Sequence, residues 1–243
     1  MSWRIGLIDS CGAHPRAVVA AAFAGLIPPA AGQGIVADAT GHGTRMADVI
    51  CSAHASVELA LGQVFVGSTR TSAASVAAAM DWAVLQGAQL LHLSLGLSAD
   101  RAVLASAVRR AVDAGVLIVA ASPARGAPVY PASYAGVIRA TGDARCAAGE
   151  ISHLRHWTFG AAPRMALERG GLPEQGGASV GAAWLTRAIT DFPAGMTACR
   201  VVEALSARAA YRGIEQKVSH TLHANSLHRD RDSFVKGIVD QSD

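Results

Sequence analysis

Leu90 to Ala121, LLHLSLGLSADRAVLASAVRRAVDAGVLIVAA, holds the pattern that decides the fold. Leu90 to Leu95 is a continuous apolar run, the kind found in parallel sheets covered on both faces. The following spacing predicts a helix from about Ala99 to Ala114, closed by Gly115, and Val116 to Ala121 then reads as the next strand. Strand, helix and strand in this order make a parallel crossover unit, so the question is how far the alternation extends.

It extends in both directions. Upstream, Arg4 to Ile8 is a short β-type run ending at Asp9, and Ser10-Cys11-Gly12 turns into an alanine-rich stretch that Pro15 is placed to begin as a helix. After Pro28-Pro29, Gly34 to Ala37 reads as a strand, and Asp38-Ala-Thr-Gly-His-Gly-Thr44 leads into a helix ending near Ala53. Val57 to Gly67 is a further strand, and Ser72 to Gln86 is a helix whose Val76, Met80, Ala83 and Val84 share one face. Downstream, Ser122 to Tyr134 is a proline-bearing loop, Val137 to Thr141 a strand, and Cys146 to Gln175 irregular, with Gly170-Gly171 and Gly176-Gly177 near its end. Ser179 opens a last core helix through about Ile189. The expected fold is therefore α/β, a mostly parallel sheet in three layers with ligands beyond the carboxyl ends of the strands. Asp9, the loop carrying His42 and the loop after Ala121 all fall near those ends.

The 243-residue length fits one compact domain, expected over 1–206, with a polar C-terminal extension over 207–243. At 51% hydrophobic and 16% charged, the composition excludes disordered, collagen-like and coiled-coil classes. The longest apolar stretch, Ala17 to Ile27, has 11 residues. A bilayer span needs about 18 to 20. The net charge of +3 lacks the clustered stripe that phosphate backbones require, so nucleic acid is not an expected partner, and neither is a membrane. The first strand begins within a few residues of Met1, so neither a signal peptide nor a pro-segment is expected, and the expected location is cytoplasmic. Cys11, Cys51, Cys146 and Cys199 have no ligand spacing and read as reduced thiols. His220, His223 and His228 have the residue type for a metal site, but in a charged tail they read first as solvated.

Three segments place chemistry-bearing residues where they can share a cleft: Asp9 after a strand, His42 between glycines, and Ser179 after Gly177-Ala178. A serine hydroxyl is a poor nucleophile until a histidine takes its proton, and the histidine needs a carboxylate to fix its tautomer. Flanking glycines permit close approach, and a serine at a helix start feels the positive end of the dipole.

These segments sit in surroundings that resemble the subtilisin-like serine peptidases, or subtilases, from Arg4 to about Ile189. The resembling segments include Gly6-Leu-Ile-Asp-Ser10 with His14-Pro15 downstream, Gly41-His-Gly-Thr44, and Arg70 to Val84. Tyr130-Pro-Ala-Ser-Tyr134 followed by Val137-Ile138 is also family-like. The order Asp, His, Ser is that of the family. The resemblance implies a triad of Asp9, His42 and Ser179, and a substrate backbone lying along Ser94, Leu95 and Gly96. It also implies that Ala120, Ala121 and Ser122 lead toward the oxyanion hole, to which the Ser179 backbone N–H contributes.

The chain departs from the family at one informative place. Aligning Val119-Ala-Ala-Ser-Pro-Ala-Arg-Gly126 puts Ala124 where the family has its oxyanion-hole asparagine, and alanine has no side-chain donor. Loss of one such donor costs about 10² to 10³ in rate in enzymes of this type. Ser122, Arg125 and His92 are possible replacements. His92 in an apolar run, and Cys11 two residues after Asp9, read first as packed core groups, and Asp38 as a cap for the helix that follows. No cofactor and no required metal are expected. The expected function is a serine endopeptidase dedicated to processing a leader or pro-segment on one peptide or protein substrate. The alternative is a pseudopeptidase that binds a peptide or partner without cutting it.

Overall fold

The computed structural model describes residues 2–24, 34–52, 56–165 and 176–215. Its elements run β1 (Trp3–Asp9), β2 (Ala17–Ala22), α1 (His42–Cys51), β3 (Val57–Gln63), α2 (Ala73–Leu85), β4 (Leu90–Leu93) and α3 (Ala102–Asp113). They continue with β5 (Leu117–Ala121), β6 (Ile138–Gly142), β7 (Ile151–Arg155), β8 (Thr158–Ala161), α4 (Ala178–Ile189), α5 (Ala198–Arg208) and β9 (Tyr211–Arg212). The strands form one sheet in the order β2-β3-β1-β4-β5-β6-β8-β7-β9, parallel throughout except for the β7/β8 hairpin. This is the expected three-layer α/β fold. No helix of the described residues is long and apolar enough to cross a membrane.

Period-2 alternation divides the strands between two cores. Ile5, Leu7, Leu59, Leu61, Leu90 and Val119 pack with Met46 and Ile50 of α1 and Val180 and Leu185 of α4. Ile8, Ala60, Leu91, Leu93, Ile118 and Ala120 pack with Val76 and Met80 of α2 and Leu104 and Val108 of α3. Central strands buried on both faces explain why their sequence reads as unbroken apolar runs. A core change such as Ile50→Ala, at a side chain with no exposed surface, should cost about 2 to 5 kcal/mol.

The order of the central strands positions the site. The chain leaves β1, returns beside it as β3, and then continues on its other side as β4, so the strand order reverses between β1 and β4. A crevice opens at the carboxyl ends at such a point. Asp9 is the last residue of β1, and Ser94 follows the last residue of β4.

Three sequence expectations are corrected. The alanine-rich stretch after Pro15 is the strand β2 and not a helix. Its backbone satisfies the edge of β3, with Ala20 opposite Leu61 and Ala22 opposite Gln63, and this pairing outweighs the small per-residue helix preference of alanine. Gly34 to Ala37 is not a strand. The Gln63 side chain takes the place of a neighbouring backbone there: Val36 N–H donates to Oε1 at 3.0 Å, and Nε2 donates to the Val36 carbonyl at 2.8 Å. Cys146 to Gln175 contains the β7/β8 hairpin. Its turn passes through Trp157 at a φ of 56°, without the glycine or asparagine that announces a hairpin in sequence. Sequence reasoning also named neither α5, capped by the Thr197 side chain, nor β9, which pairs with β7. The expected tail histidines and Gly170-Gly171 lie outside the described residues.

Candidate active site

The carboxylate side of the cleft is built from consecutive residues at the end of β1. Asp9 is 1% exposed and both its oxygens face His42: Nδ1 lies 2.8 Å from Oδ1 and 3.0 Å from Oδ2. The Ser10 N–H also donates to Oδ1, at 2.7 Å. With an acceptor-only carboxylate against Nδ1, the neutral ring carries its proton on Nδ1 and leaves the lone pair on Nε2. The Asp9 charge raises the His42 pKa above the ordinary imidazole value, against the opposing effect of burial.

His42 is held from behind as well. It is the first residue of α1, whose cap position Gly41 supplies no side-chain bond. Asp38 serves instead, accepting from the Thr44 N–H at 2.9 Å and the Thr44 hydroxyl at 2.7 Å, which is the cap role the sequence suggested. Burial works against ionisation of Asp38, yet these hydrogen bonds hold its carboxyl below the usual range. The Gly43 N–H donates to Ser10 Oγ at 2.9 Å, and a Cβ on Gly43 would lie 2.4 Å from the Cys11 nitrogen. Glycine at 43 is therefore what lets α1 start against the β1 turn and bring His42 to Asp9.

Ser179 enters from the opposite direction, in the first turn of α4. That helix rests on β6 so closely that a Cβ on Gly181 would lie 2.2 Å from the Thr141 carbonyl oxygen, and it packs beside α1. The Ser179 hydroxyl donates to the Ser94 carbonyl at 3.3 Å, and no hydrogen bond joins it to His42 among the described residues.

The remaining sequence candidates occupy the same end of the sheet. Ser94 and Leu95 are buried, Gly96 is half-buried, and the three continue past β4 without ladder partners among the described residues. The chain then pairs at Leu97, which exchanges hydrogen bonds with Tyr130 at 2.7 and 2.9 Å. Ala120 and Ala121 end β5 in the core, and the Ser122 N–H donates to the Ala140 carbonyl at 2.8 Å. Ala124 and Arg125 lie exposed in the loop beyond. His92 is wholly buried with both ring nitrogens engaged, on Thr186 and Ser94. Cys11 is buried, and desolvation pushes its thiol up to about 11, as for a packed core group.

Ser10, Gln63 and Thr186 were missed from sequence. Ser10 links Asp9 to Gly43, while the Gln63 amide donates to the Ser10 carbonyl at 2.7 Å. The signal available for Gln63 was a polar residue closing an otherwise apolar strand.

An aspartate–imidazole pair at a switch point, with a serine at the facing helix start, is an arrangement that unrelated folds share, so the geometry alone names no family. The family comes from sequence: the subtilase family model matches residues 23–156, and the chain belongs to that family. Among curated relatives it is 36% identical to Subtilisin Savinase of Lederbergia lenta, covering 44% of each chain. It is 32% identical to the minor extracellular protease Epr of Bacillus subtilis, covering 42% of this chain and 18% of that one. The chain thus spans less than half the length of these relatives. Among solved structures it resembles Sphericase, with a TM-score of 0.63 at 19% identity over 86% of this chain and 85% of the other. It also resembles the prenylagaramide maturation protease PagA, with a TM-score of 0.55 at 18% identity over 77% and 73%.

Proposed function

We propose that this protein is a serine endopeptidase of subtilisin type. Ser179 attacks a peptide carbonyl, His42 Nε2 takes the Ser179 proton and delivers it to the leaving amine, and an acyl-enzyme forms that water then hydrolyses by the same relay. Asp9 holds His42 in the Nδ1–H tautomer and stabilises the imidazolium. The observation that carries the reading is the two-oxygen contact of buried Asp9 with His42 Nδ1, which leaves Nε2 as the base. The Ser179 N–H, at the start of α4, is the backbone donor for the oxyanion, and the open backbone of Ser94 to Gly96 offers main-chain hydrogen bonds to an extended peptide. Ser122, past the end of β5, is the residue of that segment left to line the other side of the groove, because Ala120 and Ala121 are buried in the core.

The substrate is a peptide or protein bearing a leader or pro-segment. Ala124 contributes no side-chain donor to the oxyanion, so the intrinsic rate is low, and a single well-bound substrate supplies what the site lacks. The structural likeness to the prenylagaramide maturation protease PagA is in keeping with this. In general character the chain is also like the subtilisin-like peptidase that trims the small-subunit leader in maturation of quinohemoprotein amine dehydrogenase. The test is a fluorophosphonate probe followed by mass spectrometry. Labelling at Ser179 that Ser179→Ala abolishes is expected; an unlabelled wild type would refute the enzyme. Casein digestion tests the narrower claim, because rapid unselective cutting excludes a dedicated processor.

A pseudopeptidase is the second reading, favoured by exposed Ala124 and by the Ser179 hydroxyl resting on the Ser94 carbonyl instead of His42. Binding of a cognate peptide without product, at high enzyme concentration, would establish it.

A further inference from the structure

Behind Ser179 runs a chain of hydrogen bonds that crosses from α4 to β4 and returns. Leu90, His92 and Ser94 alternate onto the α4 face of β4. His92 has no exposed surface; its Nδ1 lies 2.8 Å from the Thr186 hydroxyl, about two turns along α4 from Ser179, and its Nε2 lies 2.6 Å from the Ser94 hydroxyl. Ser94 and Ser179 then clasp each other: Ser94 Oγ donates to the Ser179 carbonyl at 3.4 Å, and Ser179 Oγ donates to the Ser94 carbonyl at 3.3 Å.

The protons in this chain can be counted. A serine hydroxyl has one proton to give, and a neutral imidazole has one N–H and one bare nitrogen. If Ser94 gives its proton to the Ser179 carbonyl, then Ser94 Oγ must accept from His92, so Nε2 carries the hydrogen and Nδ1 accepts from Thr186. The opposite tautomer draws the Ser94 proton onto Nε2 and leaves the Ser179 carbonyl without it. Burial holds the ring neutral, with its pKa pushed down to about 4, so only these two arrangements compete. A threonine inside a helix ordinarily returns its hydroxyl to a carbonyl one turn back, and here it serves the imidazole.

We infer that His92 is a positioning residue for the nucleophile: as the Nε2–H tautomer it fixes Ser94, and through Ser94 it sets the place and rotamer of Ser179. His92 touches no substrate. The inference rests on Ser179 being the nucleophile proposed above.

The test measures the rate of fluorophosphonate labelling of the full chain, with mass spectrometry locating the adduct and circular dichroism monitoring folding. The variants are His92→Leu, His92→Gln, Ser94→Ala and the double variant His92→Leu/Ser94→Ala. Each of His92→Leu and Ser94→Ala should slow labelling about 10- to 10²-fold by misplacing the hydroxyl, in the inactivation rate constant rather than in probe affinity. The double variant should be no slower than the slower single, because one route is being cut twice. His92→Gln, whose amide nitrogen reaches the place of Nε2, should recover most of the rate; a merely structural role gives no such rescue. If wild type is labelled at Ser179 and folded His92→Leu reacts at the wild-type rate, or the single effects multiply in the double, the positioning role is overturned while the enzyme stands. If His92→Leu does not fold, Ser94→Ala and His92→Gln decide: a wild-type rate in Ser94→Ala overturns the inference, and a slowed Ser94→Ala beside a near-wild-type His92→Gln supports it. A wild type not labelled at Ser179 overturns both.

Discussion

The two walls of the cleft are made in contrasting ways. On one, the Asp9 carboxylate, the Ser10 hydroxyl, His42 Nδ1 and the Gly43 N–H lie within one hydrogen-bonded net, and Asp38 and Gln63 brace that net from outside. On the other, the loop after β5 carries Ala124 and Arg125 into solvent. In the proposed mechanism the first wall prepares a base, and the second, with Ala124, adds no side-chain donor for the charge that base helps create. A site with strong proton transfer and weak oxyanion support turns over slowly unless its substrate brings binding energy.

The largest effect should come from the first wall. Asp9→Asn keeps the shape but removes the carboxylate that fixes the tautomer, so kcat should fall about 10⁴-fold with the fold intact. Steady-state hydrolysis of a cleaved peptide measures it, and a fall under tenfold would mean that the pair is not the engine of the site. The second wall should respond in the opposite direction. Ala124→Asn supplies a side-chain donor, and a gain in kcat of up to about 10²-fold is expected, with KM little altered. An unchanged kcat would place the deficit elsewhere and dissolve the contrast.

Acidity sharpens the comparison without new contacts. Because Asp9 raises the His42 pKa, the acid limb of kcat/KM should lie above 6.5, the ordinary imidazole value, and Asp9→Asn should move it down. The same shift bears on stability. The folded pKa exceeds the unfolded one, so the pair contributes fully below about pH 6.5 and its contribution fades as pH rises through the folded value. Denaturant titrations across that window should show the decline in wild type and not in Asp9→Asn. The smallest effect belongs to the outer bracing. Asp38→Ala should cost about 1 kcal/mol of stability through the lost cap, read from the denaturant midpoint, with a modest loss of kcat.

The parts legible in sequence were those that one short segment can specify. Asp9 closes an apolar strand, His42 stands between two glycines, Ser179 follows Gly177-Ala178, and each motif announces its own backbone. The central strands announced themselves by burial on both faces. What stayed hidden was written across distance: Gln63 meets Ser10 across 53 residues, and His92 meets Thr186 across 94. A histidine in an apolar run reads as core until its partners are known. The β2 error has the same origin, since alanines favour a helix locally and only the open edge of β3 requires a strand. The hairpin at Trp157 escaped because its turn uses a conformation that no local residue type signals.

Gln63 acts as a strand one residue long. Its amide gives one hydrogen to Val36, the other to Ser10, and takes the Val36 N–H in return, so the segment before His42 and the segment after Asp9 hang from a single side chain. Only a group that donates twice and accepts at once can be such a latch. Gln63→Glu would keep the size and lose both hydrogens on ionisation, turning the carboxylate against two carbonyl oxygens. The hinge would then open in alkali and close in acid, giving this cleft a sensitivity to pH opposite in sense to that of its own histidine.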